Sequence, residues 1–191
     1  MHFSKRRRTL IPLIAVEVIG DHVIEKLHGF MKRMNWFLKN RPDLASCISY
    51  MCSLERKGKC YKLLAIPCKD RLLKVLKYMF DENEFLSPYG IRSLSKYHEK
   101  NPYVFYAGGN EHRVDCTPCE STTTLFGGNS NWRGSIWFPI NYLLIEALEK
   151  YYEFYGNSLK VEFPTNSGNL MNLKEISIEL PSRLERTYFF L

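Results

Sequence analysis

Between Asn83 and Arg133 runs a segment rich in Pro, Gly, Ser and Asn, and the stretches on either side of it carry helical patterns. Irregular connections longer than ~12–15 residues are uncommon in a compact domain unless they build a site. A chain with this layout needs helices as a scaffold and gathers its irregular segment at one side of them. Functional residues are therefore sought in that segment. Within it, "YVFYA" offers one short strand and "HRVDC" another.

The flanking patterns repeat every three to four residues. Val23, Ile24, Leu27, Phe30, Met31, Met34 and Leu38 fall on one helical face, which Gly29 interrupts and "NRPD" at 40–43 ends. A second helix follows Pro67, with Leu72, Leu73, Leu76, Met79 and Phe80 inward and Arg71, Lys74 and Lys77 outward. The third starts near Phe138, turns Ile140, Leu144, Ala147, Leu148, Tyr151 and Tyr155 inward, and closes at Gly156. A last helix follows Asn172, which can cap it, with Glu175 three residues on in the reciprocal position. Its inward positions are Leu173, Ile176, Leu180 and Leu184. Pro181 lies inside that pattern, where a missing donor and a steric clash argue for two pieces. The Met and aromatic stripes on these faces read as core, and 191 residues are enough for one ordinary domain.

Charge is divided unevenly. Residues 1–77 hold 17 Lys+Arg against 6 Asp+Glu, and residues 78–191 hold 10 against 14, which gives the net +7. The basic residues are scattered over helical faces without interleaved aromatics, which argues against a nucleic-acid partner. "KRRR" followed by "TLIPLIAV" has the outline of a targeting signal, but Glu17 and Pro12 interrupt it and no small-x-small site follows. The run is also shorter than the ~20 residues that span a bilayer, so it reads as part of the folded domain. No membrane association is expected, and a cytoplasmic, reducing compartment is. Cys47, Cys52, Cys60, Cys68, Cys116 and Cys119 then read as free thiols. The "CTPC" spacing lacks a second ligand pair, so no metal and no cofactor is expected.

The end of the irregular segment, "GGNSNWRGSIWFPINYLLIEALEKYYEFYG", places Trp132, Arg133 and Trp137 on a loop that enters a helix. Those residue types suit a sugar. An indole lies well on the C–H face of a pyranose, and the ring hydroxyls need fixed donors and acceptors. Trp132 and Trp137 offer faces, Arg133, Asn129 and Asn131 offer hydrogen-bonding groups, and Glu120 an acceptor. The alternative role for the same residues is structural, with both tryptophans as core anchors and Arg133 paired to an acid of a neighbouring helix.

"SPYGIRSLS" (87–95) and "GGNSNWRGSIWFPINYLLIEAL" (127–148) resemble the C-terminal part of glycoside hydrolase family 63, in the family's order. "RRRTLIPLIAVEV", "RPDLASCIS", "NPYVFYAGGNEHRVDCTP" and "PTNSGNLMNLKEI" resemble its cytosolic-type bacterial and fungal branch. The resemblance implies a mainly α fold, an incomplete part of an (α/α)6 toroid with a long loop region and short strands. It implies inverting hydrolysis of α-glucosidic bonds, an oligosaccharide or glucoside ligand, and a subsite that includes Tyr89 and Arg92 with Trp132, Arg133 and Trp137. The family's acid and base map onto no residue here, so the catalytic residues stay unassigned. The chain is expected to be a fragment, inactive alone, with helix faces left open to self-association. A non-enzymatic helical interaction module is the reading from a different class, and a basic nucleic-acid-binding domain a weaker third.

Overall fold

The computed structural model describes residues 10–45, 52–56, 59–118 and 133–189. Helix is the commoner regular structure, and short strands form four small antiparallel sheets. The N-terminal third departs most from the periodicity. A 3-10 turn at Ile11–Leu13 buries Leu13 and leads into strand β1 (Val16–Gly20). The apolar run "TLIPLIAV" thus joins the folded domain through Leu10 and Leu13, which lie in the core. β3 (Lys59–Ala65) is the centre of a three-stranded sheet, with β1 on one edge and β2 (Cys52–Arg56) on the other. The register runs Val16 to Ala65 and Cys52 to Leu63. Helical periodicity gave no sign of this sheet. Its core-facing residues, such as Leu63 and Ala65, fall on the period of two that a strand imposes.

The single helix expected over residues 23–38 is two. α1 (Asp21–Ile24) stops early and α2 (His28–Asn40) begins afresh, so Gly29 lies in the first turn of α2 and interrupts nothing. Of the seven apolar residues on that face only Ile24 is buried, while Val23, Leu27 and Phe30 are exposed. α2 has no buried residue. An amphipathic pattern selects a helix locally, but burial needs an opposing surface, and among the described residues α2 meets little beyond α1 and the short α3 (Pro42–Ala45).

The other helices follow the sequence closely. α4 (Lys69–Met79) buries Leu72, Leu76 and Met79, and Phe80 just beyond it, but leaves Leu73 half-buried. α6 (Phe138–Tyr155) buries Leu144, Ala147, Leu148 and Tyr151. Its last inward position is Phe154 rather than Tyr155, and Ile140 is half-buried. α7 (Leu173–Phe189) opens on the reciprocal cap. Asn172 Oδ1 accepts the amides of Lys174 at 3.0 Å and Glu175 at 2.9 Å, and Glu175 Oε2 accepts the Asn172 amide at 2.7 Å. α7 then continues through Pro181 unbroken. The interior proline costs ~3 kcal/mol. Leu180 and Leu184 are buried on either side of it, and a buried leucine contributes ~1.5–3 kcal/mol, so packing outweighs the break.

The core lies where α4, α6 and α7 meet one another and the inner face of β1 and β3. Three hairpins decorate it: β4 (Leu86–Ser87) with β5 (Gly90–Ile91), β6 (Tyr103–Ala107) with β7 (Asn110–Val114), and β8 (Lys160–Glu162) with β9 (Leu170–Asn172). β6 is the strand expected from "YVFYA", and β7 overlaps the expected "HRVDC" at His112–Val114 but starts two residues earlier and stops before Asp115. The irregular segment is therefore hairpins plus the short helix α5 (Tyr97–Lys100) up to Pro118.

Candidate functional site

Pro88 and Tyr89 form the two-residue turn between β4 and β5, and proline presets the first dihedral of such a turn. Ser87 Oγ locks it, accepting the Tyr89 amide at 3.0 Å and donating to the Gly90 carbonyl at 2.8 Å. Arg183 of α7 holds the hairpin from below, donating to the Ser87 carbonyl at 3.0 Å while its guanidinium lies over the Phe163 ring. Tyr89 stands at the tip, 42% exposed. Arg92 turns back on its own hairpin, its amide bonded to the Phe85 carbonyl and its guanidinium to that of Leu86. Partial burial pulls the Arg92 guanidinium below its ordinary pKa, because the charged form loses hydration.

The hairpin is stitched to the loop before α6. Arg92 and Ile136 form an antiparallel bridge, the Ser93 amide donates to the Ser135 carbonyl at 3.0 Å, and the Gly134 amide donates to Ser93 Oγ at 3.0 Å. A third segment joins them, since the Thr117 amide donates to the Arg133 carbonyl at 2.7 Å and Ser135 Oγ donates to the Pro118 carbonyl. Gly134, at φ +109, lies so close to Cys116 that a Cβ there would sit 2.4 Å from its sulfur. Only glycine fits both the backbone and the space. Burial pushes the Cys116 thiol up, and the Arg92 charge partly opposes this.

Arg133 is 1% exposed, and its guanidinium is paired with Asp115, the residue after β7. It is a buried anchor between two loops as the molecule stands. Trp137 is half-buried in the position that caps α6, in extended backbone. Tyr89, Arg92, Arg133 and Trp137 are thus parts of one hydrogen-bonded cluster of loops. Glu120, Asn129, Asn131 and Trp132 lie outside the described residues, as does Cys119. Among the described residues no group of three or more His, Cys, Asp or Glu could hold a metal, and Cys116 is a buried free thiol.

Sequence reasoning passed over Asp115 as a partner for Arg133, and over Ser93 and Asn141. Asn141 carried a signal. It is a polar residue one turn before Leu144 on the inward stripe of α6, and it is buried. A carboxamide there has to be fully bonded to be tolerated.

The model of the glycosyl hydrolase family 63 C-terminal domain matches residues 60–173. The chain is similar to an uncharacterized protein of Saccharomyces cerevisiae, 47% identical over 176 residues, which are 92% of this chain and 16% of that protein. It is also similar to a probable mannosyl-oligosaccharide glucosidase of Schizosaccharomyces pombe, 38% identical over 82 residues, 43% of this chain and 7% of that protein. The chain therefore spans a small part of the length of both relatives. The matched region contains both halves of the loop cluster.

Proposed function

The chain belongs to glycosyl hydrolase family 63, and from that premise we propose that it contributes sugar-binding surface to an (α/α)6 toroid that hydrolyses α-glucosidic bonds with inversion. The ligand class is an α-glucose-containing oligosaccharide, in keeping with the glucosidase name of the second relative. The observation that carries the reading is the joining of the two family-like motifs. Ser93 and Ser135 are bonded backbone to backbone at 3.0 Å, which brings the segment after the Tyr89 hairpin beside the segment before Trp137 and supports this reading. In this reading Tyr89, Trp132 and Trp137 present ring faces, Arg92, Asn129, Asn131 and Glu120 present polar groups, and Arg133 acts through Asp115 to hold the loops in place.

Inversion needs two carboxyl groups ~6.5–9.5 Å apart, one protonating the leaving oxygen and one activating water. The carboxylates bonded into the loop cluster already have partners, Asp115 with Arg133 and Glu84 with the Ser95 hydroxyl. We therefore read the chain as a fragment without its own catalytic pair, resident in the cytoplasm with six reduced cysteines. Among the described residues no helix is long and apolar enough to cross a membrane.

Two measurements on the purified chain test this. Titration with maltotriose should quench tryptophan emission, and Trp132→Ala or Trp137→Ala should weaken that binding while the far-UV spectrum is kept. Glucose release from α-linked disaccharides should stay well below ~1 per second, the low end of ordinary enzymes. No binding by the wild type would sink the subsite. Turnover that is lost in Glu120→Gln would show that the chain carries a catalytic carboxylate of its own.

A further inference from the structure

The hairpin at Gly90 and the loop at Trp137 are far apart in sequence, yet one buried carboxamide spans them. Asn141 is 1% exposed. Its Oδ1 accepts the Ile91 amide at 2.7 Å, and its Nδ2 donates to the Ile91 carbonyl at 2.9 Å. The same Nδ2 donates to the Trp137 carbonyl at 3.0 Å. A carboxamide that both accepts from and donates to one residue's backbone pairs with it as a neighbouring strand would. The Arg92–Ile136 bridge continues the same pairing one residue further on.

Gly90 is shaped to this contact. Its φ is +124, and a Cβ there would lie 2.9 Å from Asn141 Oδ1 and 2.8 Å from Leu184 Cδ2. Aspartate at 141 would keep the acceptor but set an oxygen against two carbonyls. Leucine would leave the Ile91 amide and carbonyl buried and unpaired. No other residue of this size supplies both an acceptor and two donors.

We propose that Asn141 is a positioning residue for the sugar-binding loops: it sets the separation between the Tyr89–Arg92 hairpin and Trp137. It touches neither ligand nor reacting atoms and acts through the Ile91 and Trp137 backbones. The inference rests on the subsite reading for its functional half. Its structural half, that Asn141 ties the hairpin directly to α6, stands on the three hydrogen bonds.

The test compares Asn141→Asp with Leu144→Ala, a buried change one turn along α6 that leaves those bonds intact. Amide exchange at Ile91 and maltotriose affinity by tryptophan fluorescence are both read at matched thermal stability. Asn141→Asp should speed Ile91 exchange and weaken maltotriose about tenfold each, and Leu144→Ala should change both by less than about twofold. Equal exchange at Ile91 in the two variants would overturn the positioning role. Faster exchange with unchanged affinity would overturn its functional half. If the wild type does not bind maltotriose, the subsite reading fails by itself and Ile91 exchange alone decides whether Asn141 holds the hairpin. Should Asn141→Asp not fold, the wild type decides. Its Ile91 amide must then exchange as slowly as the amides inside α6, and exchange as fast as at the Gly108–Gly109 turn overturns the proposal.

Discussion

Arg133 brings a full charge into a place with almost no water. Its partner Asp115 is 29% exposed, so the pair is buried on one side only. Removing one member of a buried pair costs roughly 3–5 kcal/mol, and the solvent access of Asp115 puts this pair toward the lower end. Arg133→Met should therefore lower the thermal midpoint clearly, and Arg133→Lys should rescue it only partly, because an ammonium lacks the planar fork. Calorimetry on the two variants checks the ranking, and full rescue by lysine would reduce the contact to a point charge. Tyr151 is the opposite case. Its hydroxyl is buried with no hydrogen-bond partner among the described residues, and burial pushes its phenol above the ordinary value of 10.0. A buried unsatisfied group costs ~1–3 kcal/mol, so Tyr151→Phe should leave stability unchanged or raise it. The pH sign follows. In the unfolded chain Tyr151 ionises near its ordinary value of 10.0 and in the folded chain only at higher pH, so stability falls as pH rises above 10. Tyr151→Phe should flatten the alkaline limb of a denaturation series. Glu17 and Lys150 pair at 2.7 Å across β1 and α6, which lowers the pKa of Glu17 and raises that of Lys150. That pair supports the fold above the ordinary pKa of Glu17 and loses effect as pH falls through the lowered one. Both side chains are well exposed, so the effect of Lys150→Met on the acid limb should stay under ~1 kcal/mol.

Elements differ in how far they depend on their surroundings. α7 has its start written locally, in the exchange between Asn172 and Glu175. Asn172→Ala should cost ~1 kcal/mol, measurable in urea melts. Its continuity past Pro181 is not local, and Leu180→Ala should cost ~2–5 kcal/mol because that contact compensates for the proline. A cost below ~1 kcal/mol would mean that something other than packing carries the helix through. The loop before α6 depends on a single glycine. Gly134→Ala meets the Cys116 sulfur and an unfavourable φ together, so Cys116→Ala should recover only the steric part of its loss. Full recovery in the double variant would show that the backbone is under no strain.

Across the whole molecule, the apolar surface is unevenly covered. Phe30 is 40% exposed and Trp36 60% on α2, and Phe138 and Tyr142 stand out on the wet side of α6. Exposed aromatic side chains of this size, where they gather into a patch, are commonly met by another surface. We expect the isolated chain to self-associate, with a sedimentation coefficient that rises with concentration. Phe30→Lys, on the α2 face, should reduce that rise. A concentration-independent monomer would show that the faces need no cover.

Local chemistry determined the cap of α7, short strands near β6 and β7, and the helices α4, α6 and α7, though not the continuity of α7 past Pro181. The family was legible only by resemblance, through the motifs at 87–95 and 127–148, and the match over residues 60–173 agrees with it. What local chemistry could not determine were relations between distant segments. The β1–β3–β2 sheet was missed because its strands are short and its pairing joins residues such as Val16 and Ala65, which no local period reports. The split of α1 from α2 was missed because amphipathicity describes a face and not its partner. The roles of Arg133 and Asn141 depended on tertiary structure for the same reason. A buried arginine or asparagine is defined by the atoms that satisfy it, and Asp115 and Ile91 reach them only after the chain has folded.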